Sequence, residues 1–180
     1  MLKAAGTYTK TLFQMAFYLE TSRLLLRELT PDDAPGFFQL NEDPLVIQYT
    51  GDRPFQDIDE ARAFLENYDQ YALYGYGRWA VTSRENGDFL GWCGLKYMPD
   101  LQETDLGYRF LRKHWGQGFA TEAAKACLDY GLTILDLPQI VGRAWKANVP
   151  SIRVLEKIGM EYWKDAEFEG QAGVYYRKRL

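Results

Sequence analysis

The hydrophobic pattern changes period repeatedly along the chain, and each change predicts an element. Arg23-Leu-Leu-Leu-Arg-Glu28 reads as a strand, and Thr30-Pro31-Asp32-Asp33 then supplies an N-cap, a first-turn proline and acidic first-turn residues for a helix over about 31–40. Asp43-Pro44 breaks that helix. Beyond a loop with Gly51 and Pro54, the helical spacing of Ala61, Phe64, Leu65, Tyr68 and Ala72 predicts a second helix over about 57–73. Arg78–Ser83 and Phe89–Tyr97 flank Asn86-Gly87, a strong hairpin signal. A third strand, about 104–111, runs into a glycine-punctuated turn and an alanine-rich helix over about 117–132. Gln139–Trp145 reads as a strand, 149–158 as a helix stopped by Gly159, and 160–168 and 173–179 as two more strands. The order β-α-α-β-β-β-α-β-α-β-β, a meander followed by a βαβ-like crossover, predicts a mixed α/β (α+β) sheet.

At 180 residues the chain can bury one good core. One domain is expected over 15–180, behind a polar, Thr-rich extension at 1–14, with Met15 a candidate second start. The 13 Tyr, 10 Phe and 5 Trp serve core first and pocket walls second, Trp79, Trp92, Tyr97 and Tyr108 being candidates for walls. The net charge of −4 argues against a nucleic-acid binder and makes the basic residues near 109–114 a local exception. Cys93 and Cys127 do not make a disulfide framework or a CxxC site, and the single His114 cannot build a histidine metal centre, so no metal is expected. No run approaches the ~18 apolar residues of a membrane span. Leu12–Leu19 is short, carries Gln14 and lacks a following cleavage site, which disfavours a signal peptide and leaves a reducing cytoplasm as the expected setting.

The segment from Asp105 to Ala123 carries the chemistry. A helix N-terminus leaves its first N–H groups without acceptors and adds partial positive charge, so anions bind there. Gly116 and Gly118 allow a sharp turn and close approach to those amides, and Arg112, Lys113 and His114 lie beside them. Two common phosphate motifs do not fit. There is no Gly-Lys-Ser/Thr, and a dinucleotide fingerprint would need glycine where Thr121 stands.

Three segments, in order, make the chain resemble the GNAT superfamily of N-acetyltransferases, which use acetyl-CoA. Lys113-His-Trp-Gly116-Gln-Gly118 is similar to the family's Q/R-x-x-G-x-G/A turn, with Lys in the place of Gln or Arg. Asn148-Val-Pro-Ser151, running on to Gly159-Met160, is similar to its N-x-x-S…G-F segment. Thr21-Ser-Arg-Leu-Leu-Leu-Arg27 with Thr30-Pro-Asp-Asp33 resembles the branch containing the ribosomal-protein N-terminal acetyltransferases. The likeness runs from about residue 20 to the end.

The resemblance implies that the strands near 104–111 and 139–145 splay to admit the pantetheine arm. It implies further that the edge of residues 109–111, with Phe110 and Leu111, offers it backbone partners, and that Lys113 and the amides of Gly116, Gln117, Gly118, Phe119, Ala120 and Thr121 hold the pyrophosphate. Asn148 would hold the pantetheine side; an N-cap for the helix at Val149 is the structural alternative.

Acetyl transfer to an amine needs a neutral amine, a donor to the oxyanion and a proton for the departing thiolate. Many relatives take that proton from a Tyr seven residues after the Asn, where this chain has Leu155. In the ribosomal-protein branch a serine three residues after the Asn is the implied acid, matching Ser151. The implied base is Glu167, in Ala166-Glu167-Phe168, with Glu103, then Asp105, as alternatives on the strand before the turn.

An α-amine with pKa of about 7.8 is roughly 10–15% neutral at pH 7, whereas lysine, about 2.6 units higher, costs roughly 3.5 kcal/mol more to deprotonate. The expected acceptor is thus a protein or peptide N-terminal amine, or a small molecule with a low-pKa amine, its pocket built on Phe37–Tyr74 and the 165–173 region. No nucleic-acid or membrane partner is expected, and monomer and homodimer stay open. The alternative function is a regulatory domain that binds acetyl-CoA without turnover, motivated by Leu155; an ATP- or NAD-binding domain is a distant third.

Overall fold

The computed structural model describes residues 18–180, so the expected extension at 1–14 and the start at Met15 lie outside the described residues. Its strands are β1 (Tyr18–Glu20), β2 (Leu24–Glu28), β3 (Arg78–Ser83), β4 (Phe89–Met98), β5 (Glu103–Phe110), β6 (Gln139–Trp145), β7 (Glu161–Phe168) and β8 (Gln171–Arg179). Its helices are α1 (Ala34–Glu42), α2 (Pro44–Ile47), α3 (Ile58–Glu66), α4 (Gln70–Tyr74), α5 (Phe119–Thr133) and α6 (Val149–Lys157). The strands form one sheet in the order β1-β2-β3-β4-β5-β6-β8-β7, antiparallel except between β5 and β6. This is the mixed α/β architecture expected from the pattern. Among the described residues no helix is long and apolar enough to cross a membrane.

Local chemistry explains most elements. Gly87 sits at φ +78 between Ser83 and Asp88, whose backbones bond across the β3–β4 turn, as an Asn-Gly hairpin requires. The expected helix at 57–73 is instead two, α3 and α4. Asn67 ends α3 and its side-chain amide donates to Ala63 O at 2.7 Å, while the rings of Tyr68 and Tyr71 turn toward the sheet. There Tyr68 Oη accepts from Arg78 N (2.7 Å) and Tyr71 Oη accepts from Leu29 N (2.9 Å). These two bonds satisfy strand-end amides, which outweighs the loss of helix continuity. Asp43-Pro44 does end α1, but Asp43 then caps α2 through Leu45 N. The three-residue strand β1, paired to β2, was not among the expected elements.

One sheet face packs on α5 and α6, the other on α1 and α3. On the first, Trp79, Cys93, Leu95 and Leu106 meet Ala123, Ala124, Cys127, Leu128 and Leu155. The small residues of α5 let that helix lie close to the strands, which fixes its N-terminus at the end of β5. Trp79 is only 1% exposed and belongs to this core, not to a pocket wall. Cys93 and Cys127, 34 residues apart in sequence, have sulfurs 3.6 Å apart; both thiols are free, and burial pushes the Cys127 thiol up.

Candidate active site

The sheet is open where β5 and β6 meet. These parallel strands share one register pair, Asp105↔Val141, whereas β6 pairs with β8 from Gln139↔Arg179 to Trp145↔Gly173. Beyond the shared pair, about 16 Å of β5 lines a gap, from five residues at about 3.3 Å each. The vertex is pinned by Asp105, which is buried and accepts from Arg78 of β3 at 2.5 Å and Arg143 of β6 at 3.3 Å. A carboxylate whose oxygens are committed to two guanidiniums is a clamp, not a free base.

Backbone polarity along the gap follows from one bond. Leu111 N donates to Leu90 O on the β4 side at 2.9 Å. An antiparallel ladder alternates, so Arg109 and Leu111 face β4 while Tyr108 and Phe110 turn their N–H and C=O toward β6. Of the expected edge 109–111, only Phe110 thus turns its backbone into the gap, joined by Tyr108, which was expected as a pocket wall and not as a backbone partner. The Leu111 side chain packs with Leu40 and Val46.

The glycine turn stands at the open end. Gly116 and Gly118 have φ +73 and +82, where a glycine is required. Gly118 is the N-cap of α5 and makes no side-chain cap bond; the first intrahelical bond is Glu122 N to Gly118 O, so the amides of Phe119, Ala120 and Thr121 have no partner within the helix. A Cβ on Gly116 would meet nothing within 4 Å. The cradle is open and its free amides carry partial positive charge, as an anion site needs. Gln117 is held by its Nε2 on Lys113 O (3.0 Å) and by Arg23 Nη1 on its own carbonyl (3.0 Å).

The three basic residues beside the turn are not equivalent. Arg112 is paired with Asp43 at 2.9 Å. Burial and the neighbouring Lys113 charge lower the His114 pKa, so it adds no charge at neutral pH. Lys113 is the one of the three that is both charged at neutral pH and without an ion-pair partner among the described residues. The Thr21-Ser-Arg segment buttresses the turn: Glu122 accepts from Thr21 Oγ1 (2.6 Å), Ser22 Oγ (3.0 Å) and Arg23 Nε (2.7 Å), and Arg23 lies 4.5 Å over Phe119. Burial alone would raise the Glu122 carboxyl, but those bonds outweigh it and hold it below the usual carboxylate range.

Asn148 caps α6, its Oδ1 accepting from Ser151 N at 3.3 Å, which is the structural role weighed for it. Tyr108 Oη donates to Ser151 O at 2.8 Å, tying the first turn of α6 to β5 across the gap; burial pushes the Tyr108 phenol up. Leu155 is 1% exposed and fits against Gly142, where a Cβ would stand 2.6 Å from its Cδ2. That position therefore carries packing and no proton donor.

The other face of the gap is roofed by the loop between α2 and α3. Tyr49 sets its ring edge-on to Trp145 of β6 at 6.1 Å, and Asp52 pairs with Arg109 of β5 at 2.5 Å, so the loop is tied to both splayed strands. Trp92 lies between Arg78 and Arg109 on this face.

The candidate carboxylates are scattered. Glu103 lies seven residues before Phe110, about 23 Å along the strand, in a separate cavity with Tyr76, Tyr97, Thr104 and Arg179. Its Oε2 is buried there without a hydrogen-bond partner among the described residues. Glu167 is exposed and pairs with Ala172; alternation turns it away from Phe168, which packs toward Arg143 and Tyr175.

Residues 23–161 match the acetyltransferase (GNAT) domain. The chain is 33% identical over 145 residues to the uncharacterized N-acetyltransferase p20 of Bacillus licheniformis, covering 79% of this chain and 82% of that one. It is 30% identical over 156 residues to the FsC-acetyl coenzyme A-N(2)-transacetylase of Aspergillus fumigatus, covering 80% and 65% respectively. The acetyltransferase structure from Agrobacterium tumefaciens superposes with a TM-score of 0.79 at 27% identity, over 91% of this chain and 95% of that one. A sheet splayed beside an uncapped glycine turn, in a sequence with these relatives, leads to one assignment: the chain belongs to the GNAT acetyltransferases and is an N-acetyltransferase that uses acetyl-CoA.

Proposed function

We propose that this N-acetyltransferase acts on a protein or peptide N-terminal α-amine, or on a small amine of similarly low pKa, by direct attack in a ternary complex. The observation that carries the reading is Leu155, sealed against Gly142 where many relatives have a phenol acid. With that acid absent and no carboxylate gathered beside Ser151 among the described residues, the site favours an amine of low pKa, which gives up its proton readily near neutral pH. A relative named for transfer to an N(2) nitrogen supports an amine acceptor.

Bound acetyl-CoA supplies the activated acetyl group. Lys113 and the amides of Phe119, Ala120 and Thr121 would hold its pyrophosphate, with Gly116, Gln117 and Gly118 shaping the turn. The gap-facing N–H and C=O groups of Tyr108 and Phe110 would pair with the pantetheine, and one of those N–H groups would donate to the thioester carbonyl and polarise it. Asn148 orders the first turn of α6, and Ser151 Oγ, at that helix N-terminus, would give the leaving thiolate its proton. The amine proton would leave through solvent water, with exposed Glu167 as its final acceptor and not a group in contact with the amine; Glu103, at the far end of β5, has no part in this scheme.

The test is a mass-spectrometric screen of peptides, lysine, polyamines and aminoglycosides with acetyl-CoA. We expect α-amine products, and roughly 10²-fold lower kcat in Ser151→Ala with folding intact, since the cap bond uses its N–H and not its hydroxyl. Acetylation confined to lysine ε-amines or aminoglycosides would overturn the acceptor class. Tight acetyl-CoA binding without turnover of any amine would favour a regulatory domain.

A further inference from the structure

The β7–β8 turn is built on a residue that such turns disfavour. Phe168↔Gln171 is the closing pair, which leaves Glu169 and Gly170 as the two loop residues, at φ +52 and +75. A hairpin with both central residues left-handed calls for Asn, Asp or Gly at the first position. Glutamate there gives up conformational free energy that asparagine would keep.

Its side chain is directed at the roof of the gap. A Cβ on Gly51 would stand 2.3 Å from Glu169 Oε2 and 2.5 Å from Oε1, so the carboxylate rests on bare backbone that only a glycine leaves open. Gly51 itself holds φ +72. It sits between Tyr49, in contact with Trp145 of β6, and Asp52, paired with Arg109 of β5. The Glu169 carboxylate therefore stands over the gap on the face opposite α5 and α6. Among the described residues it has no hydrogen-bond or ion-pair partner, and the nearby cations are committed: Arg109 to Asp52 and Asn41, Arg143 to Asp105.

We propose that Glu169 is the acceptor-binding carboxylate, receiving the ammonium form of the acceptor at the mouth of the gap before the amine loses its proton. The proposal rests on the amine-acetyltransferase reading above and assigns the acceptor contact to Glu169, which points at the roof, in place of Glu167, which alternation turns away. An unpaired carboxylate beside a glycine-cleared surface fits a cation that the molecule itself does not supply.

The test uses Glu169→Asn and Glu169→Gln in the full chain, with CoA release followed against spermidine and a serine-initiated peptide. Asparagine suits the turn, so its melting temperature should match or exceed that of the wild type. In both variants the KM for the amine should rise roughly fivefold, the scale of one exposed charged contact, while the KM for acetyl-CoA stays put. An unchanged amine KM in both variants overturns the proposal, as does a fall in melting temperature with equal changes in the two KM values, which marks a turn residue only. If the wild type acetylates no amine in the panel, the underlying reading fails and this inference falls with it.

Discussion

Valine at Gly118 separates the two duties of that residue. At φ +82 an L-residue costs roughly 1–2 kcal/mol, and β-branching adds to it. Space is not limiting: a Cβ there would meet only Arg23 Nη2, at 3.5 Å, an ordinary contact. For a domain of this size each kcal/mol moves the melting temperature by about 2–4 °C, so a fall of roughly 2–8 °C with the fold retained is expected. Binding should suffer more. An isopropyl group at the N-cap would crowd a phosphate approaching the amides of Phe119, Ala120 and Thr121, and loss of two charge-assisted hydrogen bonds at about 1.5–3 kcal/mol each would weaken acetyl-CoA at least ~10²-fold. Isothermal titration with acetyl-CoA measures this, with Gly87→Val as the control. Gly87 has φ +78 and open space around its Cβ position, in a hairpin turn away from the site. Affinity in Gly118→Val within about threefold of the wild type, or an equal loss in the Gly87 variant, would refute the assignment of the turn.

Asp105→Asn leaves the partly buried Arg78 and Arg143 without their shared counter-charge, and should cost roughly 3–5 kcal/mol, read as a melting temperature lower by on the order of 10 °C. The Glu122 carboxyl is held below its ordinary value of 4.5, so its contribution to stability is present above that pH and fades as pH falls through the lower folded value. Glu122→Gln should therefore flatten the melting temperature against pH below about 4.5, with little pH-dependent difference from the wild type elsewhere in a calorimetric series.

Where one segment's own chemistry decides its conformation, the chain could be read directly. Asn86-Gly87 gives a hairpin because its left-handed positions suit those residues, and the alanine-rich run after Gly118 gives α5 because nothing in it opposes a helix. Asn148 caps α6 through a bond spanning three residues. Periodicity misread 57–73, since a stripe at helical spacing continues through α3 and α4 while the backbone stops at Asn67 to let Tyr68 and Tyr71 serve the sheet. Likewise the three carboxylates proposed for the base looked alike in sequence. Register then put Glu103 at the closed end of β5, two arginines engaged Asp105, and alternation turned Glu167 outward.

The sequence by itself determined the order of strands β2 to β8, the left-handed glycines of the cofactor turn and the absence of a phenol at position 155, because these depend on residues within a few positions of one another. Only the tertiary structure decided where β5 and β6 part, that Tyr108 spans the gap to Ser151, and that Glu169 and not Glu167 meets Gly51. Those facts join side chains distant in sequence, through strand register and the alternation of faces, and a one-residue change of register would have reversed each of them.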